Sequence, residues 1–252
     1  MSVRNIRLVL AYDGTDFSGW QIQKTGRTVQ GELQAGLARM HGHTVRATAA
    51  GRTDSGVHAT GQVVNFRSDI TSIAALRFRD AVNSYLPPDI RVLESDVAAE
   101  DFSARRAAKA RLYRYYLYPS AVGLPHLRRF CYRLRRSLDV GLLDRMARQL
   151  IGEHDFTAFA AAGDSNASKQ RRVAVSCCYS QGPFVVYKVV ANSFLWRMVR
   201  SMVGTLVELE ERKADPQELL AILRSKERIR AGQTAPARGL FLEKVYYHAD
   251  VF

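Results

Sequence analysis

The chain has 252 residues, 47% of them hydrophobic, enough to bury a sizeable core in one large domain or two small ones. No apolar run approaches the roughly 18 to 20 residues that span a bilayer as a helix. Lysine and arginine number 37 against 24 acids, a formal net charge of +13, so a polyanionic partner is expected; nucleic acid comes ahead of a membrane surface because no basic amphipathic helix stands out.

The opening residues, MSVRNIRLVLAYDG, are too briefly apolar for a signal peptide and read as a first strand. The polar loop TDFSGWQIQ follows. Thr28 then caps a helix on which Val29, Leu33, Leu37 and Met40 recur at helical spacing. TVRATAA alternates as a second strand, GRTDSGVHATG is a long loop, and QVVNF is the strand that leaves it. A helix is expected from about Ser72, with Ile73, Leu76, Val82 and Leu86 as its apolar positions, stopped by the prolines of LPPDI. RVLESDVA is the next strand.

The second half repeats this order more loosely. ARLYRYYLYP is a strand, a helix runs from about Leu138 to Gly152, and VAVSCCYSQGPFVVYKVVAN is a hairpin turning at Gly182-Pro183. SFLWRMVRSMVGTLVELE reads as an amphipathic helix. DPQELLAIL follows with Asp215 as cap and Pro216 in the first turn, and GLFLEKVYY closes the chain as a strand. The expected fold is α+β with two similar halves, each a mixed or antiparallel sheet with helices on one face. The halves are expected at residues 1–104, carrying the GRTDSGVH loop, and 105–252.

Charge is unevenly placed. Between Asp101 and Asp139 there is no acid, while Arg105, Arg106, Lys109, Arg111, Arg114, Arg128, Arg129, Arg133, Arg135 and Arg136 alternate with tyrosines and Phe130. Arginine beside aromatics suits phosphate and unstacked bases. The competing reading is a solvated arginine face over a sheet of tyrosines.

Reactive groups are few. The three cysteines form neither a disulfide framework nor a zinc spacing, and a reducing cytoplasm is the expected setting. The six histidines are scattered, so no metal is expected. Neither GxGxxG nor GxxxxGK[ST] occurs, so no nucleotide cofactor is expected, and no Gly-x-Ser-x-Gly elbow occurs either. What remains is Asp54 in a glycine-bounded loop, two residues after Arg52. A carboxylate held ionised and desolvated is a nucleophile, and a nearby arginine favours the ionised form. In a basic RNA-binding protein, such a group lies where a flipped base can reach it. TDSG is equally good turn chemistry, in which Asp54 caps the turn with its own side chain.

GRTDSGVHATGQVVNF resembles the signature of the tRNA pseudouridine synthases that modify the anticodon stem-loop, a family that commonly reads Gly-Arg-Thr-Asp-Ala-Gly-Val-His. AYDGTDFSGWQIQ, VNSYLPPDI, DFSARRAAKARLYRYYLY, GEHDFTAF, ANSFLWRMVRSMVG and ARGLFL resemble further family segments, in family order over nearly the whole chain. The resemblance implies that Asp54 is the catalytic aspartate and that Arg200 pairs with it and keeps it ionised. It implies that Tyr113 stacks on the target uracil and takes part in proton removal, that Arg52 fills the space the uridine leaves, and that Leu240 walls the base. Trp20 and His58 read as structural. It further implies an active-site cleft between the halves, a cofactor-free isomerisation of uridine at tRNA positions 38, 39 and 40, and a cytoplasmic homodimer. A non-catalytic RNA-binding protein or RNA chaperone is the main alternative, and another carboxylate-dependent RNA enzyme, such as a glycosidase, is a second. Two departures stand out: Ser55 replaces the commoner alanine, and Trp196-Arg197 is unusual before Met-Val-Arg.

Overall fold

Period-two burial governs the first strand, β1 (Arg4–Tyr12), where Ile6, Leu8, Leu10 and Tyr12 are buried in alternation with more exposed residues. In the computed structural model, which describes residues 3–248 and 251, the chain forms two compact units. The first runs to Ala108 and takes up again at Leu242–His248; the second is Lys109–Phe241.

In the first unit, β1 pairs antiparallel with β3 (His58–Ser68) and β4 (Ile90–Val97), with Leu8 opposite Val64 and Ser95. A short β2 (Ala47–Ala49) lies against β3, and β10 (Leu240–Tyr246) takes the other side of β3. Helices α1 (Val29–His41) and α2 (Phe78–Asn83) cover one face, where Phe78 meets Phe66 with ring centres 6.0 Å apart. The opposite face carries Asn5 and Asn65, which are hydrogen-bonded to each other at 2.9 Å and to the main chain of Ala99, Phe102 and Ala104. Thr28 caps α1 by accepting from the Gly31 N–H at 3.2 Å.

In the second unit, β5 (Ala110–Pro119) pairs antiparallel with β9 (Phe184–Ala191), β9 with β8 (Gln170–Gln181), and β8 with β7 (Gly152–Asp155). β6 (Tyr132–Leu134) runs parallel to β5, so this sheet is mixed. Helix α3 (Val140–Arg148) packs on β8, with α4 (Met198–Glu211) and α5 (Pro216–Ser225) beside it. Largely antiparallel strands with helices in each unit give the α+β class with similar halves.

Several boundaries move. The compact units part at Ala108 and Lys109 rather than at 104/105, and the chain returns to the first unit at Leu242, which linear order does not reveal. β3 starts at His58, not Gln62, because Gly61 is a strand residue: a Cβ there would lie 2.0 Å from the Glu243 carbonyl oxygen. The helix expected from Ser72 is a turn at Ala75–Arg77 followed by the short α2. Gly152 has φ +118 and opens a strand rather than ending a helix.

Candidate active site

Asp54 stands in the segment between β2 and β3, half-buried, with Arg52 exposed on the same loop. A turn closes beneath it, where the Val57 N–H donates to the Asp54 carbonyl at 3.1 Å and Gly56 takes φ +76. The segment that follows β1 clasps this loop. The Trp20 N–H donates to the Thr53 carbonyl at 3.0 Å, while the Gly56 N–H and the Ser55 hydroxyl donate to the Phe17 carbonyl at 3.4 and 3.1 Å. Gln62 Nε2 donates to the Gly51 carbonyl at 2.8 Å.

Two glycines make the approach possible. A Cβ on Gly14 would lie 2.0 Å from the Val57 carbonyl oxygen, and one on Gly19 would lie 2.8 Å from that of Thr53. Beneath the loop, the buried Tyr12 hydroxyl meets Thr53 Oγ1 at 2.9 Å. Burial pushes the Tyr12 phenol up to about 12, against the opposing hydrogen bonds, so it stays neutral through the physiological range. His58 Nδ1 accepts from the Gly14 N–H at 3.0 Å, which places any proton of the neutral ring on Nε2; Asp13 Oδ1 lies 3.2 Å from Nδ1. The residues flanking Asp54 are therefore fixed from several directions, which is what a preorganised reactive group requires.

In the second unit, Tyr113 lies on β5 opposite Val189, 8% exposed, with its ring edge-to-face with Phe194 at 5.1 Å. Arg200 sits in the first turn of α4. Its Nε donates to the Ala235 carbonyl at 2.8 Å, and the Ala235 N–H donates to the Arg200 carbonyl at 3.0 Å. The segment containing Ala235 crosses α4 at Gly204, where a Cβ would lie 1.6 Å from the Gln233 carbonyl oxygen. The Gly232 N–H donates to Thr205 Oγ1 at 2.9 Å, tying the same segment one turn further along. Tyr115 is fully buried and donates to the Pro236 carbonyl at 2.7 Å. Burial pushes its phenol up, and the Arg200 charge opposes that rise. Leu240, buried, begins β10 directly after Gly239, which packs against the Tyr115 ring.

Asp54 and Arg52 thus share one loop of the first unit, while Tyr113, Arg200 and Leu240 belong to the second. The supporting residues Tyr12, Gly14, Gln62 and Ala235 carry no reactive signature of their own. The signal for the first two was their place in AYDG, ahead of the Gly-Trp pair. Among the described residues, no three or more His, Cys, Asp or Glu are grouped to hold a metal ion. Nor is any of their helices long and apolar enough to cross a membrane.

A family model described as tRNA pseudouridine synthase matches residues 8–105 and 146–248 of this chain. A tRNA pseudouridine synthase A from Treponema denticola is 44% identical over 253 residues, covering 98% of this chain and 94% of its own. Proteins of the same description from Moorella thermoacetica and Brachyspira hyodysenteriae are 46% and 38% identical, covering 96% and 97% of this chain and 99% of each relative. With its α+β architecture and matches of this length, the chain belongs to the tRNA pseudouridine synthase family, and is an isomerase.

Proposed function

We propose that this chain isomerises uridine to pseudouridine in the anticodon stem-loop of tRNA, at positions 38, 39 and 40, with Asp54 as the reacting carboxylate. The observation that carries the reading is the clasp around the Asp54 loop. A turn that served only to reverse the chain would have no need of Gly14 and Gly19 for close approach, nor of a buried Tyr12–Thr53 pair beneath it. Fixing the main chain that carries a carboxylate favours chemistry, because part of the cost of orienting it is met by folding rather than at the transition state.

The reaction breaks the N1–C1′ bond of the uridine, turns the uracil while it is still held, and joins C5 to C1′; the C5 proton is released. Atoms balance with no oxidant, phosphoryl donor or cofactor. Asp54 supplies the anionic oxygen near C1′ and C6, Arg200 is its cationic partner, and Tyr113 provides a stacking face for the base. Arg52 holds the uridine out of its stack, and Leu240 keeps water from the base. The partner is tRNA, and the working form is a homodimer in the cytoplasm. The net charge of +13 and the arginine–tyrosine window between Asp101 and Asp139 support an RNA partner.

Release of tritium from C5-labelled uridine in tRNA transcripts tests the reading. Wild-type protein is expected to release label, and Asp54→Asn to bind tRNA without releasing any. A wild-type protein that binds tRNA and releases no tritium sinks the catalytic reading and leaves an RNA-binding protein in its place. Mapping the modified uridines decides the positions, and sedimentation decides the dimer.

A further inference from the structure

The chain has two tryptophans, and they are treated oppositely: Trp20 is 2% exposed and Trp196 is 45% exposed. Trp196 is nonetheless fixed in place. Its N–H donates to Asp164 Oδ2 at 2.6 Å, and its carbonyl accepts from the Ala161 N–H at 3.0 Å. The six-membered ring of the indole rests against Gly163, where a Cβ would come within 2.8 Å of Cζ3. Arg197 takes the left-handed conformation, φ 60, which an arginine adopts at a cost of order 1 kcal/mol or more. Its guanidinium lies 4.8 Å from the Trp196 ring centre.

Asp164 is the anchor of this corner. Its side chain is 1% exposed and is held by Lys169 Nζ at 2.6 Å, by the Asn166 N–H and side-chain amide, and by Trp196. A buried carboxylate, a left-handed arginine and a glycine bearing are all needed to hold one indole partly in water. Packing does not explain this, because burying the ring would be the cheaper use of it.

We propose that Trp196 and Arg197 form a stacking platform for an unpaired base of the RNA, with the indole against the base and Arg197 on the adjoining phosphate. Aromatic faces beside arginine are the means by which proteins hold unstacked nucleotides. Trp196 follows Phe194 by two residues, and the Phe194 ring packs edge-to-face at 5.1 Å on Tyr113, the residue proposed to stack on the reacting uracil. The base taken here is therefore a neighbour of the reacting one. A second copy of this chain fits the corner less well, since like cations would face one another in a protein of net charge +13. The inference rests on the reading that tRNA is the partner.

Tryptophan emission tests it, because Trp20 is buried and a change on adding RNA reports Trp196. A tRNA transcript is expected to quench the wild-type protein. Trp196→Phe, which keeps an aromatic face, is expected to bind tRNA with the quench gone. Trp196→Ala is expected to weaken binding about tenfold, within the range for loss of one base–aromatic stack, and the unchanged Trp20 emission will confirm its fold. Undiminished emission in the tRNA complex, wild-type affinity in Trp196→Ala, or no tRNA binding at all overturns the proposal. So does emission that depends on protein concentration without RNA. Protein that binds and quenches yet makes no pseudouridine leaves the platform standing and overturns the catalytic reading; pseudouridine made without a quench does the reverse.

Discussion

Tyr12 and Asp164 show how single buried groups govern exposed ones. The Tyr12 hydroxyl is paired with Thr53, the residue before Asp54, and its phenol stays protonated because burial raises it to about 12. Tyr12→Phe is expected to cost about 1 kcal/mol of stability, as the Thr53 hydroxyl loses its buried partner. Its larger effect is expected on turnover, which single-turnover assays at saturating tRNA will read. For Asp164, burial raises the carboxyl, but the hydrogen bonds from Lys169, the Trp196 N–H and Asn166 outweigh it and hold the group well below the usual carboxylate range. A depressed folded-state value stabilises the fold above the unfolded value of 3.8 and is lost as pH falls from there toward the folded value. Asp164→Asn is accordingly expected to cost about 2 kcal/mol at pH 7, with the gap to wild type narrowing as the pH drops below about 4. Urea denaturation at a series of pH values measures both.

At the level of elements, two crossings decide where the candidate residues stand. The segment after β1 crosses the Asp54 loop at Gly14, and the segment around Ala235 crosses α4 at Gly204. Gly204→Ala is the sharper test. Alanine in a helix interior is favoured over glycine by about 1 kcal/mol, yet here its Cβ would lie 1.6 Å from the Gln233 carbonyl oxygen. The clash wins, because backbone and not a flexible side chain must move. The variant is expected to lose thermal stability and, through Ala235 and Arg200, most of its activity. Local patterns expose much of this architecture: the caps at Thr28 and Asp215, the hairpin at Gly182-Pro183 and the period-two strands are each set by residues a few positions apart in sequence. Long-range approaches were not legible. Gly61 reads as loop because nothing nearby in sequence shows that Glu243 comes against it, and the sequence pattern of α4 runs back over Ser193–Arg197 because an arginine in the left-handed conformation has no sequence signature. Among the candidate residues, Asp54 stands out by its own loop, whereas Arg200 and Tyr113 are marked only by resemblance, since a lone arginine on an apolar helix and a tyrosine in a strand are ordinary.

For the whole molecule, the charge excess sets how RNA binding should respond to salt. Each phosphate neutralised releases counterions, so the logarithm of affinity falls linearly with the logarithm of salt concentration. Affinity for tRNA is expected to fall steeply between about 50 and 200 mM salt. Replacing the exposed Arg106 or Arg128 by alanine is expected to reduce the slope by about one each if that residue meets a phosphate. Filter binding across a salt series measures the slope directly.

The closing strand adds a constraint of timing. β3 has β1 on one side and β10 on the other, and Leu242–His248 return the chain to the first unit only after Lys109–Phe241 have been made. During synthesis the first unit must therefore wait with the part of β3 that β2 does not pair as an open edge, the kind of edge that invites mispairing. A polypeptide stopped at Phe241 would contain Arg52, Asp54, Tyr113, Arg200 and Leu240, every residue proposed for the chemistry. It is nevertheless expected to be inactive and prone to aggregate, because the ribosome would have released it one strand too soon.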